Sequence, residues 1–421
     1  MITQYPPAGS GSSNPVYVTI DGNQTDAFGR LRVATPYTLY DSQARYAKDS
    51  TFSYQTSGSG ANSYNTNQSS VNLTVGTAVG TSVAQTYRVF PYQPGKSLLT
   101  LQTFTMATAQ TNLNQKVGYF NTNNGVYFMQ SGSTLSFTIR TFTSGSVVDN
   151  TVNQSSWNGD KLDGTGKSGI TLDVTKTQIL WMDFEWLGVG SVRCGFVING
   201  QYVTCHTFNN ANTTNTVVYM QTAILPLRFE INATSTVTGT PVLQQICSSV
   251  VSEGGYEQTS QQFQAFRPIT SALSLSASGT YYPLVSIRLN ASYLGAVVIP
   301  AAVNFLPVSG TATFELVLVK NATGLTSASW ASTVAGGQVD VDTAATAMTI
   351  PATDNIVLLS YATATNQGTA TIVTPTGFNW DLQLGVAAGA SSSDTYTLGV
   401  RGNFSSSPTC TGAISFWDLT V

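Results

Sequence analysis

His206 is the one histidine in this chain of 421 residues, and it follows Cys205 directly. A Ser-His-Asp or Cys-His nucleophilic site would have to use it as base. Adjacent strand residues point to opposite faces, which separates the Cys205 and His206 side chains. No nucleophile-elbow pattern surrounds them, and Cys247 and Cys410 lie at no paired spacing. A zinc site needs four suitably spaced ligands, and this pattern does not supply them. Asp183 and Glu185 are a second candidate pair. Two residues apart on a strand, they share a face with Trp181 and stand roughly 6–7 Å from each other. Carboxylates at about that distance can hydrolyse glycosides. Three readings follow: a plain exposed strand face, a glycan contact made by Trp181, Asp183 and Glu185, or a catalytic pair.

The loop Asn158-Gly159-Asp160-Lys161-Leu162-Asp163-Gly164-Thr165-Gly166-Lys167-Ser168-Gly169 gathers oxygen ligands as calcium loops do. It lacks the alternating acidic spacing and the later bidentate Glu, and Lys161 and Lys167 compete for its carboxylates. It reads as a tight structural turn, with calcium as the alternative. Gly166-Lys167-Ser168 mimics the end of a phosphate-binding loop, but the leading Gly of that motif would fall on Lys161, which excludes it. Asn-x-Ser/Thr sequons such as those at Asn72 and Asn232 follow from a composition rich in all three residues.

These groups must be carried by strands. Charged residues make up 9% of the chain, against roughly 25% in an ordinary soluble domain. The formal net charge is −3, and no basic stripe marks a nucleic-acid surface. Tyr, Phe and Trp reach 10%, which separates the chain from disordered sequences. Val71–Val75, Leu135–Arg140 and Gln178–Trp186 alternate with period two, and Gly/Ser/Asn turns punctuate them. The expected fold class is all-β: an N-terminal arm followed by two jelly-roll or β-sandwich domains. The expected boundaries are an arm at 1–48, a first sandwich at 49–255, a connector at 256–270 and a second sandwich at 271–421. Further strands are expected at Val16–Ile20, Val217–Met220, Leu227–Ile231, Tyr282–Asn290, Gly295–Ile299, Thr313–Lys320, Asn355–Ala362, Phe378–Leu384, Thr395–Arg401 and Ala413–Val421.

Asn199-Gly200 is a strong two-residue hairpin signal. Centring a turn there pairs Ile198 with Gln201, Val197 with Tyr202 and finally Cys194 with Cys205. The two thiols then stand within disulfide reach, either bonded or as two small buried residues. In the arm, Asp26, Phe28, Arg30 and Arg32 concentrate charge and an aromatic ring. They read either as an anchor to a neighbouring subunit, its guanidinium forks engaging acidic partners, or as an edge strand with two solvated arginines.

Met1–Pro7 shows no basic then apolar leader, and the apolar stretch 294–308 is interrupted by Pro300 and Pro307 and too short to span a membrane. The expectation is synthesis in a cytoplasm, no membrane insertion, no nucleic-acid partner and no cofactor.

Five segments carry a resemblance: Asp26-Ala27-Phe28-Gly29-Arg30-Leu31-Arg32, Lys116-Val117-Gly118-Tyr119-Phe120, Asn124-Gly125-Val126-Tyr127-Phe128, Trp157-Asn158-Gly159-Asp160-Lys161-Leu162-Asp163-Gly164 and Ser252-Glu253-Gly254-Gly255-Tyr256. They are similar to virion structural proteins of tailed bacteriophages, over about residues 20–260. The part from Pro283-Leu284-Val285-Ser286-Ile287-Arg288 onward looks like the β-sandwich attached to many of the same proteins. The resemblance implies a non-enzymatic, virion-located protein, a tail-associated fibre or adhesin contributing to host attachment, or else a capsid decoration or head fibre. It implies other virion proteins as partners, a homo-oligomer that is trimeric by analogy with phage fibres, and host surface glycan as a candidate ligand. It carries over no catalytic residues. A glycan-degrading tailspike and a secreted lectin-like protein are the competing readings.

Overall fold

Side chains that alternate between apolar and polar can bury one face of a strand and leave the other to solvent or a second layer. The computed structural model, which describes residues 25–29, 35–213, 215–332, 337–364 and 379–420, turns this pattern into antiparallel sheets with no α-helix among the described residues. No described helix is long and apolar enough to cross a membrane.

The first sandwich is built from β1 (Tyr37–Gln43), β2 (Phe52–Asn65), β3 (Ser70–Thr86), β4 (Leu98–Thr105), β5 (Leu113–Phe120), β6 (Gly125–Ser131), β7 (Thr134–Thr141), β8 (Val148–Asn153), β9 (Gln178–Phe184), β10 (Val192–Ile198), β11 (Gln201–Phe208), β12 (Leu227–Ala233) and β13 (Val242–Ser252). They form one continuous ladder, β11-β10-β9-β4-β13-β3-β12-β5-β6-β7-β8, with β1 on β13 and β2 on β3. The ladder folds over on itself at β3. Val71–Thr74 of β3 pair with β13, whereas Gly80–Gln85 pair with β12. Glycines permit the corner: a Cβ at Gly60 would stand 2.0 Å from the Thr81 carbonyl oxygen, and one at Gly80 2.5 Å from the Ser59 nitrogen. Strands that switch layers at such bends close sandwiches without exposing a face.

The two layers meet through aromatic rings. Phe104 of β4 faces Phe128 of β6 at 6.1 Å, Tyr119 of β5 faces Phe184 of β9 at 5.2 Å, and Phe196 of β10 meets Phe128 edge-on at 5.1 Å. Each buried ring of this kind contributes about 1.5–3 kcal/mol.

The second sandwich uses β14 (Gln261–Phe266), β15 (Leu273–Ser274), β16 (Tyr282–Leu289), β17 (Val298–Ser309), β18 (Ala312–Lys320), β19 (Thr323–Thr326), β20 (Ala331–Ser332), β21 (Val339–Asp342), β22 (Ala347–Thr349), β23 (Ile356–Ala364), β24 (Thr395–Asn403) and β25 (Thr409–Asp418). One layer runs β20-β21-β16-β24-β18-β23. In the other, β25 is flanked by β17 on one side and by β14 and β15 on the other. Phe305 of β17 packs on Phe314 of β18 at 5.1 Å across the layers. The stretch expected to be a connector therefore begins the second sandwich's own sheet: Gln261–Phe266 pair with Asp418–Ala413.

The sandwiches are joined by an apolar seam. Val297, Ile299 and Leu419 are buried against Val89, Ile224, Tyr256, Trp380, Leu382 and Trp417. Main-chain contacts reinforce it: the Val386 amide donates to the Tyr87 carbonyl at 2.8 Å and the Gln383 side chain to that of Val89 at 3.2 Å.

Two expected strands are not strands. Val217–Met220 is an irregular segment, pinned by burial of Tyr219 and Met220 while Val217 stays exposed. The run expected at Phe378–Leu384 contains a 3-10 turn at Trp380–Leu382, opened by the Asn379 side chain accepting from the Asp381 amide. The expected Val16–Ile20 strand lies outside the described residues.

Candidate functional site

Strand β9 holds the residues expected to meet a ligand, and the structure turns two of them inward. Leu180, Met182 and Phe184 face the first core. Trp181 and Asp183, on the opposite face, are also fully buried. Trp181 lies over Gly195, edge-on to Tyr202 at 5.4 Å. Asp183 is held by Arg193 of β10, whose Nε donates to Oδ1 at 2.8 Å and whose Nη2 donates to Oδ2. The same Nη2 donates to the Thr25 carbonyl at 2.6 Å, drawing the Asp26 turn onto this face. Glu185 is half-buried and accepts from the Ser191 amide at 3.1 Å. The glycan-contact and paired-carboxylate readings of Trp181, Asp183 and Glu185 are thereby corrected, because packing buries Trp181 and Asp183 completely and the Asp183 carboxylate is spent on Arg193.

Arg193 also gathers acidic groups. Burial works against its charge, but Asp183 outweighs that effect, with Glu253 and Asp26 adding to it. Glu253 accepts from Ser97 Oγ at 2.8 Å. Asp26 is buried and accepts from the Phe28 amide at 2.9 Å. Asp26 thus turns toward this chain's own first sandwich, which corrects its reading as an outward anchor. Phe28 is half-buried beside it, and Arg30 and Arg32 lie outside the described residues. Asp26 and Glu253, from two of the resembling segments, therefore both act on one arginine.

The four cysteines are free thiols. Asn199 and Gly200 take positive φ (51° and 75°), as a primed hairpin turn requires. Ile198 pairs with Gln201 and Val197 with Tyr202 as expected. Beyond that a bulge intervenes: Gly195 pairs with Thr204, but Cys194 pairs with His206. Cys205 is the extra residue, so the Cys194–Cys205 disulfide is corrected. Gly195 marks the spot, since a Cβ there would stand 1.9 Å from the Val203 carbonyl oxygen and 2.9 Å from the Trp181 indole nitrogen.

The Asn158–Gly169 loop spends its carboxylates on itself. Asp160 accepts from the Leu162 and Ser168 amides at 2.9 and 2.6 Å, and Asp163 from the Thr165 amide and hydroxyl at 2.9 and 2.6 Å. Leu162, wholly buried at positive φ, plugs the loop into the core. The Asn158 side chain clamps Thr207 in both directions at 2.8 Å. His206 accepts from the Asn158 amide through Nδ1 at 3.3 Å and meets Phe208 edge-on at 4.4 Å. Burial holds its pKa below the usual imidazole range.

A concave site lies elsewhere, where the two sandwiches meet. It is a cleft of about 560 Å³, within the range of small-ligand sites. Five segments supply it: the Pro91–Lys96 turn before β4, Trp186 just after β9, Gln221–Ile224, the Tyr256–Thr259 stretch after β13, and Leu419–Thr420 after β25. Trp186 is fixed by its indole N–H donating to the Met220 carbonyl at 3.1 Å, with Tyr92 edge-on at 6.2 Å. Tyr256 sits between Tyr37 at 5.5 Å and Trp380 at 5.3 Å. Gln93 ties the floor together: its Oε1 accepts from the Glu257 amide at 3.0 Å and from Lys96 Nζ at 2.9 Å. Lys96 and Glu257 stand 3.9 Å apart. Tyr119 secures the wall at 221–225, its hydroxyl contacting the Phe90 and Ala223 carbonyl oxygens at 3.1 and 2.8 Å and accepting from the Leu225 amide at 3.0 Å.

The sequence marks Trp186 as the end of a period-two run and Tyr256 as part of a resembling segment, but it does not single out Tyr92, Gln93 or Gln221. Nothing in their local sequence marks them, because their proximity is created by the seam.

No protein-family model matches this chain, and no curated protein matches it. Solved structures similar to parts of it include the endo-β-1,4-glucuronan lyase of the fungus Trichoderma reesei, 11% identical over 51% of this chain and 95% of that one, with a TM-score of 0.35. Arcelin-5, a lectin-like defence protein from Phaseolus vulgaris, is 12% identical over 52% and 99%, with a TM-score of 0.32. A carbohydrate esterase from the Shiga toxin-encoding bacteriophage phi24B is 10% identical over 52% and 99%, with a TM-score of 0.29. No residue of this chain is assigned from them.

Proposed function

We propose that this chain is a structural protein of a tailed-bacteriophage virion, a tail-associated fibre or adhesin subunit that contributes to host attachment and has no enzymatic role. The observation that carries the reading is the convergence at Arg193. Asp26 and Glu253 belong to the segments that resemble virion proteins; both favour the charge of Arg193, which holds the turn before Asp26 through the Thr25 carbonyl, and Glu253 accepts from Ser97. The resembling residues thus do architectural work, as a particle component requires. The apolar seam supports it too, because it packs the two sandwiches directly against each other. Homo-oligomerisation is supported by Val357, Leu359 and Tyr361, which expose 37%, 45% and 69% of their surface along strand β23; a trimer is the form the resemblance to phage fibres implies.

The test is cryo-electron microscopy of the particle that carries this chain, together with the mass of the isolated protein in solution. Density on the tail supports the proposal. Density on the capsid replaces the tail placement with a head decoration, and absence from the particle refutes the virion reading.

A further inference from the structure

We propose that the cleft between the two sandwiches binds an uncharged hexose oligosaccharide. Tyr92, Trp186 and Tyr256 line it and are each half-buried, so part of each ring is available to a ligand. Aromatic rings offer apolar surface to the C–H face of a pyranose, which hydrogen-bonds at its edges. The edges here would meet amides and hydroxyls: Gln93, Gln221 and Thr259 lie around the same cleft. Its one lysine and one carboxylate, Lys96 and Glu257, stand 3.9 Å apart and share Gln93 as a hydrogen-bonding partner, leaving no net charge to select an ionic ligand.

The rings do not depend on a ligand for their placement. The indole N–H of Trp186 is spent on the Met220 carbonyl, and Tyr256 is gripped between Tyr37 and Trp380. A site held this way loses little entropy on binding. Leu419 and Thr420 come from the end of the second sandwich, whereas Trp186 and Gln221 come from the first. A bound oligosaccharide therefore bridges the seam and stabilises both halves.

This inference deepens the attachment role proposed above and takes its biological meaning from it. The experiment is a glycan array probed with the full chain, with neutral and acidic oligosaccharides side by side, followed by calorimetric titration of the best binder. The expected result is binding of a neutral glycan with an affinity that changes little with salt. Trp186→Ala should weaken it by about tenfold or more, as removal of an aromatic anchor does. Gln221→Ala, at an exposed position, should weaken it while leaving the melting temperature unchanged, so a folding defect in the tryptophan variant cannot mimic the result. Tyr361→Ala, on the remote strand β23, should leave binding intact. Failure to bind any glycan, preference for acidic glycans alone, or binding that survives both cleft substitutions would overturn the inference. Protein found on the tail but blind to glycans would overturn this inference and spare the virion reading. Glycan binding by a protein absent from the particle would do the reverse.

Discussion

Removing one oxygen atom from the first core should loosen the wall of the cleft. Tyr119 is fully buried, and its hydroxyl is the point to which the 221–225 segment is tied. It has one proton, directed to the Ala223 carbonyl at 2.8 Å or the Phe90 carbonyl at 3.1 Å, and it accepts from the Leu225 amide at 3.0 Å. Tyr119→Phe keeps the ring and its packing against Phe90 and Phe184, so no cavity opens. What remains is a buried amide and a buried carbonyl that have lost their partner. Each such orphan costs about 1–3 kcal/mol, and relaxation recovers part of this, giving about 3 kcal/mol in total. For a sandwich of this size that corresponds to a fall of about 6–12 °C in melting temperature. Differential scanning calorimetry reads the shift, and hydrogen exchange should show faster amide exchange at Ala223–Leu225 than in the rest of the first core. A shift below about 2 °C would mean that the hydroxyl does not hold the segment, and uniform exchange would mean that the loss is not local.

Other consequences are equally testable. Asp183→Ala removes the carboxylate that Arg193 engages through both Nε and Nη2 and should cost about 3–5 kcal/mol, whereas Glu185→Gln, just past the end of the same strand, should cost far less; urea unfolding of both variants compares them. Burial alone would raise the Glu230 carboxyl, but Lys116 at 3.0 Å and Arg228 at 2.7 Å outweigh it and lower the pKa from 4.5 to about 2. Its folded pKa lies below the unfolded one, so this contribution is full above about pH 4.5 and is lost as pH falls toward 2. Glu230→Gln should therefore flatten the acid limb of a stability-against-pH curve, and an unchanged limb would remove Glu230 as its source. Thiol titration should count four thiols per unfolded chain without reductant; in the native protein Cys247 should react, while the buried Cys194, Cys205 and Cys410 resist. A count of two would restore the disulfide.

The sequence by itself determined the fold class and much of the local geometry, because these depend on neighbours along the chain. Period-two alternation at Val71–Val75 and Leu135–Arg140 needs only the strand's own geometry to become β3 and β7. Asn199-Gly200 makes its turn because those two residues tolerate positive φ. The same local logic failed five residues out from the turn. The bulge at Cys194–Gly195 lies where Trp181, fourteen residues earlier, packs on Gly195, and a contact between strands carries no mark in either one. Alternation also could not reveal that the second face of β9 is covered at Trp181 and Asp183. Leu180, Met182 and Phe184 point into the core, and the face carrying Asp183 lies beneath the Asp26 turn that Arg193 draws in. The cleft is the extreme case. Its walls come from five segments between Pro91 and Thr420, brought together when Val297, Ile299 and Leu419 leave water. That burial is non-directional and rewards area removed from solvent whatever the separation along the chain, so only the tertiary structure could decide which rings would share a cleft.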